Sequence, residues 1–332
     1  MRKTLVILSL LLSAFSCQPA LREPIRIGLD IRPAYSLLFL VEEKGFFKDE
    51  GIDVEIIEFL SPHDSRVALE KGNVDVSLTT MVDAEILASR GTRVSIPFVI
   101  DYSYGGAGIV ARSGITSLKD LRGKRVGLEN ASLGHFTLTR ALEKSGVQAS
   151  ELELVDISPP EAEKMFNDGT LDAAVTWEPF LSRMAKGRGT LLFTSREIPW
   201  EIVDVICFRQ DVTEKNPNVV PAILKAWLRA LSYWRKHPAE ASLIMAECMN
   251  VKPEEFSVGL NGVNVLDLRL NLAAFGMENM PGPLYETADH VSQTLYSIGM
   301  TDKRVSSNMI LDRKPLLDLL TKGVLWVESL TK

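Results

Sequence analysis

The clearest structural signal in the chain begins at residue 24, with the strand-like run PIRIGL (residues 24–29). Apolar residues then recur at helical spacing from Tyr35 to Gly45, and a second strand-like run follows at 52–59. A helical segment near 65–71 and a third apolar strand at 74–78 continue the alternation. Strands that alternate with helices predict an α/β domain with a mostly parallel sheet and helices on both faces.

The middle third of the chain repeats this pattern. Its predicted strands are 125–128, 152–155 and 173–176, and its predicted helices are 132–145 and 160–167. The last third, from about Asn216, is helical, and Val220 to Arg235 has an amphipathic pattern. Two α/β units of similar size therefore lie in series and are followed by a helical region.

The composition excludes several classes of protein. The chain has 332 residues and a formal net charge of −6, without the basic block that is typical of nucleic-acid binding. Three cysteines do not make a disulfide scaffold, so stability must come from an apolar core, and the length suffices for two domains. Cys207 lies in the apolar run VICF (205–208), and we interpret it as a small buried hydrophobe rather than a partner of Cys248.

The N-terminus has the layout of a secretory signal: Met-Arg-Lys, a short apolar run over 4–12, and SAFSC at 13–17. The apolar run is shorter than the roughly 20 residues that a spanning helix needs. Cys17 resembles the acylated cysteine of a bacterial lipobox, although Phe15 stands where a small residue is usual. We predict a signal peptide at 1–16 and a lipid-anchored tether at 17–23. The alternative is an ordinary secretory signal with an incidental cysteine.

Several segments together resemble one family. They are PAYS (33–36), EKGFFKDEGIDVE (43–55), ALEKGNVDV (68–76), LKDLRGKRVG (118–127), GTLDAAVTWEP (169–179) and HPAEA (237–241). In this order they resemble the nitrate/sulfonate/taurine and thiamine-precursor (NMT1/THI5-like) group of importer-binding proteins. The resemblance covers nearly all of the chain after the signal, and it specifies the family more than the ligand.

The resemblance implies a two-lobed, type II periplasmic-binding-protein-like α/β fold, with mixed, mostly parallel sheets flanked by helices and a two-strand hinge. The crossovers would lie near Ile109–Arg112 and Val205–Phe208, so lobe one would be 24–108 plus 209–332 and lobe two 109–208. A solute would bind between the lobes, and the permease and ATPase subunits of an ABC importer would read the closure. We expect a monomer.

Ligands of open α/β sheets bind beyond the carboxyl ends of the strands, where loops lead into helices. This rule selects Tyr35 and Ser36, Thr79 and Thr80, Ser132, Gly134 and His135, and Trp177 and Glu178. Asp101 and Asp204 follow or interrupt apolar runs, and a buried carboxylate needs a partner. We therefore predict that they face the cleft, a backbone donor or a base.

The chemistry of these residues leaves alternatives. Ser132 caps a helix, contacts the ligand, or does both. Trp177 stacks on the ligand or packs beneath the turn at Pro179. The candidate acids are Asp101, Glu178 and Asp204, and the nearby candidate bases are Arg32 and His135. This excess of acids favours an amine-bearing or nitrogen-heterocyclic solute over nitrate or a simple sulfonate, although a sulfonate-type solute stays within the prediction. The four histidines are far apart in sequence, so we expect no metal site, and nothing indicates a cofactor.

Two other classes of function compete with solute binding. An enzyme of thiamine-pyrimidine synthesis has a related fold, but the resemblance implies that it would be intracellular and would carry a cysteine-rich run that this chain lacks. A sensor domain of a receptor is the second, and no transmembrane helix or output domain follows Lys332 here. We expect an exported binding protein, periplasmic or at the cell surface and held to the membrane by Cys17, and not an enzyme.

Overall fold

A computed structural model describes residues 23–187, 189–277 and 280–321. The strands are β1 (Ile25–Asp30), β2 (Val54–Phe59), β3 (Val76–Thr80), β4 (Val94–Ser103), β5 (Ala107–Arg112), β6 (Arg125–Leu128), β7 (Glu153–Asp156), β8 (Ala173–Trp177), β9 (Gly189–Thr194), β10 (Val203–Arg209), β11 (Val263–Val265), β12 (Gly276–Met277) and β13 (Met280–Pro281). The signal peptide and Cys17 lie outside the described residues.

Helices cover the sheets and form the C-terminal region. They are α1 (Leu37–Glu43), α2 (Phe46–Asp49), α3 (Pro62–Lys71), α4 (Met81–Ser89), α5 (Leu133–Ser145), α6 (Pro159–Asp168), α7 (Phe180–Gly187), α8 (Gln210–Lys215), α9 (Val219–Lys236), α10 (Pro238–Cys248), α11 (Pro253–Leu260), α12 (Leu268–Phe275), α13 (Pro283–Ser297), α14 (Ser307–Ile310) and α15 (Lys314–Thr321). No helix in these ranges is both long enough and apolar enough to cross a membrane.

The strands form two large sheets of related topology. The first has the order β11-β4-β10-β3-β1-β2, and the second has the order β7-β6-β8-β5-β9. In each, three strands pair in parallel: β2, β1 and β3 in the first sheet, and β7, β6 and β8 in the second. The sheets are therefore mixed, and the strands that run against the parallel set are β10 and β11 in one and β5 in the other.

The reversed strands β5 and β10 carry the chain between the sheets. Each enters its sheet from the other one and pairs antiparallel with strands on both sides. The connecting segments are 104–106 and 195–202, several residues before the crossovers that the sequence predicts at 109–112 and 205–208. Those two apolar runs lie inside β5 and β10, where burial on both faces of a sheet explains their composition.

We propose lobe boundaries that follow these segments. Lobe one is built on the first sheet and takes 24–103 with 203–321, and lobe two is built on the second sheet and takes 107–194. The connections lie side by side, since the Ser103 Oγ and Ser195 Oγ atoms are 2.8 Å apart. Gly106 packs on Gly262, and a Cβ at Gly106 would come within 2.7 Å of the Gly262 carbonyl oxygen. The close approach at this point requires a residue without a side chain.

Local sequence explains how helices start at the ends of strands. Ser61 accepts a hydrogen bond from the Asp64 amide at the start of α3, Pro62 occupies the first turn, and Gly72 ends the helix in the left-handed conformation. Thr80 closes β3 and caps α4 by accepting from the Asp83 amide. These short strand-to-helix turns bring polar residues to the edge of the first sheet that faces lobe two.

Candidate functional site

A small space lies between the two lobes beside the connecting segments. Lobe one contributes Arg32, Asp101 and Asp204 to its lining, and lobe two contributes Trp177 and Glu178. Each of these five residues is at least nine-tenths buried. Two α/β units thus bring charged side chains together at the ends of their strands, which is where ligands bind in such sheets.

Arg32 is the cation of this space and follows β1 directly. Its Nε atom donates to Asp30 Oδ2 at 3.0 Å, and its Nη1 atom lies 3.7 Å from Asp204 Oδ1. The guanidinium carbon is 4.6 Å from the centroid of the Trp177 ring and 5.5 Å from that of Tyr35. Nη2 is buried and has no hydrogen-bond partner among the described residues. Arg32 therefore joins both lobes and keeps one N–H group available.

Asp101 and Asp204 lie opposite each other on the antiparallel strands β4 and β10. Asp101 is fully buried, and within the described ranges neither of its carboxyl oxygens has a hydrogen-bond partner. Burial raises the pKa of Asp101 well above its usual range, and the charge of Asp204 raises it further. Burial also raises the pKa of Asp204 to about 6, against the opposing effect of Arg32.

Trp177 and Glu178 form the lobe-two side at the end of β8. The Trp177 Nε1 atom is buried, and the described part of the chain offers it no acceptor. Glu178 differs, because its carboxylate accepts hydrogen bonds from the Ser182 amide at 3.2 Å and from the Ser182 hydroxyl at 2.6 Å. Burial raises the pKa of Glu178. Trp177 thus keeps a donor without a partner in the described ranges, and Glu178 is held by Ser182 of α7.

The other residues predicted in lobe one lie near this space without lining it. Tyr35 is completely buried beneath the Arg32 guanidinium, and Ser36 donates to the Pro33 carbonyl at 2.5 Å. Thr79 is buried within β3, and the Thr80 hydroxyl donates to Asp83 Oδ2 at 2.8 Å. Their role in ligand contact stays a prediction.

The residues predicted at the start of α5 are farther from the space and have local partners. Ser132 donates to the Glu129 carbonyl at 2.7 Å and accepts from the Gly134 amide at 3.1 Å, which is the capping role. His135 Nδ1 lies 2.9 Å from Asn130 Oδ1, and burial lowers the pKa of His135. The structure therefore groups Asp101, Trp177, Glu178 and Asp204 and leaves this helix start outside the group.

Several lining residues were not among the predicted contacts. Arg32 belongs to the loop after β1 that the strand-end rule selects, so the sequence offered a signal for it. Gly106 lies in the glycine-rich run GGAG at 105–108. Ser103 and Val263 also line the space. Val263 comes from β11, a three-residue strand with no distinctive pattern in the sequence.

Side chains outside this space bridge the lobes. Arg66, on α3, is buried with Asp83, with Nη1 to Oδ1 at 2.6 Å. The same Nη1 atom donates to the Ala131 carbonyl of lobe two at 2.8 Å. Arg183 of α7 pairs with Glu255 of α11. Polar contacts across the cleft therefore hold the lobes together in the state that the structure shows.

Metal and thiol chemistry find little support in the described ranges. No group of three or more His, Cys, Asp or Glu side chains there could hold a metal ion. Cys207 and Cys248 are both free, Cys207 is buried in β10, and burial raises the pKa of its thiol to about 12. What the site offers is a set of hydrogen-bonding and charged groups.

Comparison with known proteins decides the family. A family model described as "NMT1/THI5 like" matches residues 32–241, which is more than half of the chain. The chain belongs to the NMT1/THI5-like family. The family resemblance that the sequence motifs indicated is thereby confirmed.

Curated relatives of this NMT1/THI5-like chain fall into two groups. It is 27% identical over 207 residues to the taurine-binding periplasmic protein of Escherichia coli, an alignment that covers 59% of this chain and 64% of that one. The chain thus spans just under two thirds of that relative. It is 29% identical over 246 residues to the 4-amino-5-hydroxymethyl-2-methylpyrimidine phosphate synthase of Candida albicans, covering 68% of this chain and 70% of the relative.

Solved structures show the same fold. The periplasmic aliphatic sulphonate binding protein of Escherichia coli aligns with a TM-score of 0.72 at 16% identity and covers 89% of this chain and 99% of its own. The periplasmic nitrate-binding protein of Synechocystis PCC 6803 aligns with a TM-score of 0.70 at 16% identity, covering 92% and 91%. The expected periplasmic-binding-protein-like fold is therefore confirmed for this NMT1/THI5-like chain.

Proposed function

We propose that this protein is the exported, lipid-anchored solute-binding subunit of an ABC importer. It clamps a small amine-bearing, heterocyclic or sulfonate-type solute between its lobes and presents the closed form to the permease and ATPase subunits. The observation that carries this proposal is one space lined from both lobes by residues with buried polar atoms that have no partner in the described ranges. These atoms are Arg32 Nη2, Trp177 Nε1 and the Asp101 carboxyl oxygens.

The energetics of burial support a ligand at this place. A buried polar atom left without a hydrogen-bond partner costs about 1–3 kcal/mol. Several such atoms around one space would destabilise the folded protein considerably if the arrangement were purely structural. A polar solute that supplies their partners removes that cost, and its binding then favours the closed form.

Of the two functions found among the relatives, binding is favoured over synthesis. The lining of the space contains no thiol, since Cys207 lies within β10 with its pKa raised by burial and Cys248 is exposed on the surface. Glu178 is held by Ser182, and Asp101 and Asp204 come from directly opposed positions on β4 and β10. This arrangement suits recognition of a solute and closure around it.

A thermal-shift screen tests the proposed function. We expect at least one member of a panel of taurine, alkanesulfonates, nitrate, amines and aminopyrimidines to raise Tm by several degrees. The reason is that a ligand at 100 times its Kd stabilises the native state by about 2.7 kcal/mol. Isothermal titration calorimetry on the best compound should give one site per chain. Turnover of an aminopyrimidine precursor without a stable complex would instead support the synthase class.

The lipid anchor is tested at Cys17. We expect wild-type protein to sediment with membranes and Cys17→Ser to appear in the soluble exported fraction with an unchanged Tm, because the thiol that carries the acyl chains is gone. Cys248→Ser is the matched control, since Cys248 is a free, exposed thiol in the folded body, and it should stay with the membranes. Membrane retention of Cys17→Ser would contradict the anchor.

A further inference from the structure

The pair formed by Asp101 and Asp204 has a chemistry that importer function alone does not require. The two residues lie at directly opposed positions on adjacent strands, near the end of β4 and the start of β10. Both oxygens of Asp101 and the Oδ1 atom of Asp204 are buried without a hydrogen-bond partner in the part of the chain that the structure describes. Two facing acids in a dry environment do not both ionise readily, so one proton on the pair relieves their repulsion.

The charged and titratable groups around the pair come from several elements. On the lobe-one side these are Asp30 at the end of β1, Arg32 in the following loop, Tyr35 in the next turn and Asp83 in α4. On the lobe-two side it is Glu178, which lines the same space. The Nε atom of Arg32 donates to Asp30, and Asp83 is paired with Arg66, so both cations near these acids already have an acid partner. Acid exceeds base around the space, and a bound cation would correct the imbalance.

Geometry narrows the kind of cation. A pair that holds one proton carries one negative charge, and its unpartnered oxygens on Asp101 and Asp204 are placed to accept N–H bonds from a planar nitrogen group. Two donors have no partner in the described part of the chain: Arg32 Nη2, beside the pair, and Trp177 Nε1, on lobe two. They would meet an acceptor on the same solute. A molecule with a planar nitrogen cation at one end and an acceptor at the other would satisfy all of these atoms.

We propose, on the basis of the solute-binding function above, that the Asp101–Asp204 pair receives a planar nitrogen cation with two N–H donors, such as an amidinium or a protonated amino-heterocycle, and that protons compete with this cation for the pair. The solute is thereby selected by its charge at one end. Mild acid weakens capture, because the pair then takes up a second proton and loses its negative charge.

Calorimetry with a matched pair of compounds tests this inference. Benzamidine is a planar amidinium that keeps its charge between pH 5 and pH 8, and benzamide is its neutral analogue of similar shape. At pH 7.5 benzamidine should bind at least tenfold more tightly than benzamide. Its Kd should rise about tenfold between pH 7 and pH 5, because the pKa of Asp204 is about 6 and the ionised fraction falls by that factor.

Variants assign the effect to the pair. Asp101→Asn and Asp204→Asn, each checked for an intact thermal melt, should weaken benzamidine binding at least tenfold and flatten its pH dependence. Glu85→Gln is the control: it removes another buried acid, located between α4 and α13 and away from the cleft. This variant should bind benzamidine as the wild type does, with the same dependence on pH.

The outcomes separate the inference from the proposed function. Equal affinity for benzamidine and benzamide, a Kd independent of pH, or unchanged binding by Asp101→Asn would overturn the inference. If ethanesulfonate binds in the cleft and benzamidine does not, the inference fails and the solute-binding function stands. If neither these compounds nor the screening panel raises Tm, both fail.

Discussion

Replacing Arg66 with methionine is expected to lower the free energy of unfolding by about 3–5 kcal/mol, the usual cost of removing one partner of a buried ion pair. The side chains of Arg66 and Asp83 are both completely buried and 2.6 Å apart. Without the guanidinium, the Asp83 carboxylate keeps, within the described ranges, only the hydrogen bond that its Oδ2 atom accepts from the Thr80 hydroxyl. Urea denaturation of Arg66→Met against wild type measures the loss.

The double variant Arg66→Met/Asp83→Leu is the control for this prediction. It removes both charges and keeps an apolar filling, so it should recover most of the stability that the single variant loses. The single variant should also loosen the contact with lobe two, because the Arg66 bond to the Ala131 carbonyl is lost. A loss of less than 1 kcal/mol in Arg66→Met would show that the ion pair does not stabilise the fold in this way.

Glu85 should make the protein less stable as the pH rises. Its carboxyl is 1% exposed, and burial raises its pKa from 4.5 to about 8. The folded form therefore binds a proton that the unfolded form releases, and the free energy of unfolding falls across the window from pH 4.5 to about pH 8. The slope contributed by this group approaches 1.4 kcal/mol per pH unit. Above pH 8 its contribution becomes constant.

Thermal melts at several pH values test Glu85 directly. Glu85→Gln should keep the shape of the neutral acid, lose this part of the pH dependence, and melt above the wild type at pH 8. Glu55→Gln, at an exposed position on β2, should follow the wild-type curve. Parallel curves for wild type and Glu85→Gln between pH 5 and pH 8 would show that the Glu85 carboxyl is ionised in the folded protein.

The alternation of strands and helices was predictable because it depends on local patterns. The apolar run at 74–78 and the helix end at Gly45 correspond to β3 and to the turn after α1. Exchange of β5 and β10 between the sheets was harder to predict. An apolar run such as 205–208 has the same composition whether it crosses between lobes or lies centrally in a sheet, so the sequence placed the hinge inside both strands.

The candidate site divides in the same way. Asp101 and Asp204 were predicted because an acid within or next to an apolar run is expected to be buried, and a buried carboxylate needs a partner. The structure brings both residues to one space with Trp177. The start of α5 has the strand-to-helix pattern too, but Ser132 satisfies its own helix there. Sequence alone does not distinguish a polar residue that caps a helix from one that awaits a ligand. That distinction depends on which atoms lack partners in three dimensions.

A crystal structure of the protein with the best solute from the screen tests the central claim most directly. We expect the solute between the lobes, with its polar atoms within hydrogen-bonding distance of Asp101 on one side and of Trp177 Nε1 on the other. Density for the solute on the outer face of either lobe, with the Arg32 and Asp101 atoms still without partners, would contradict the account.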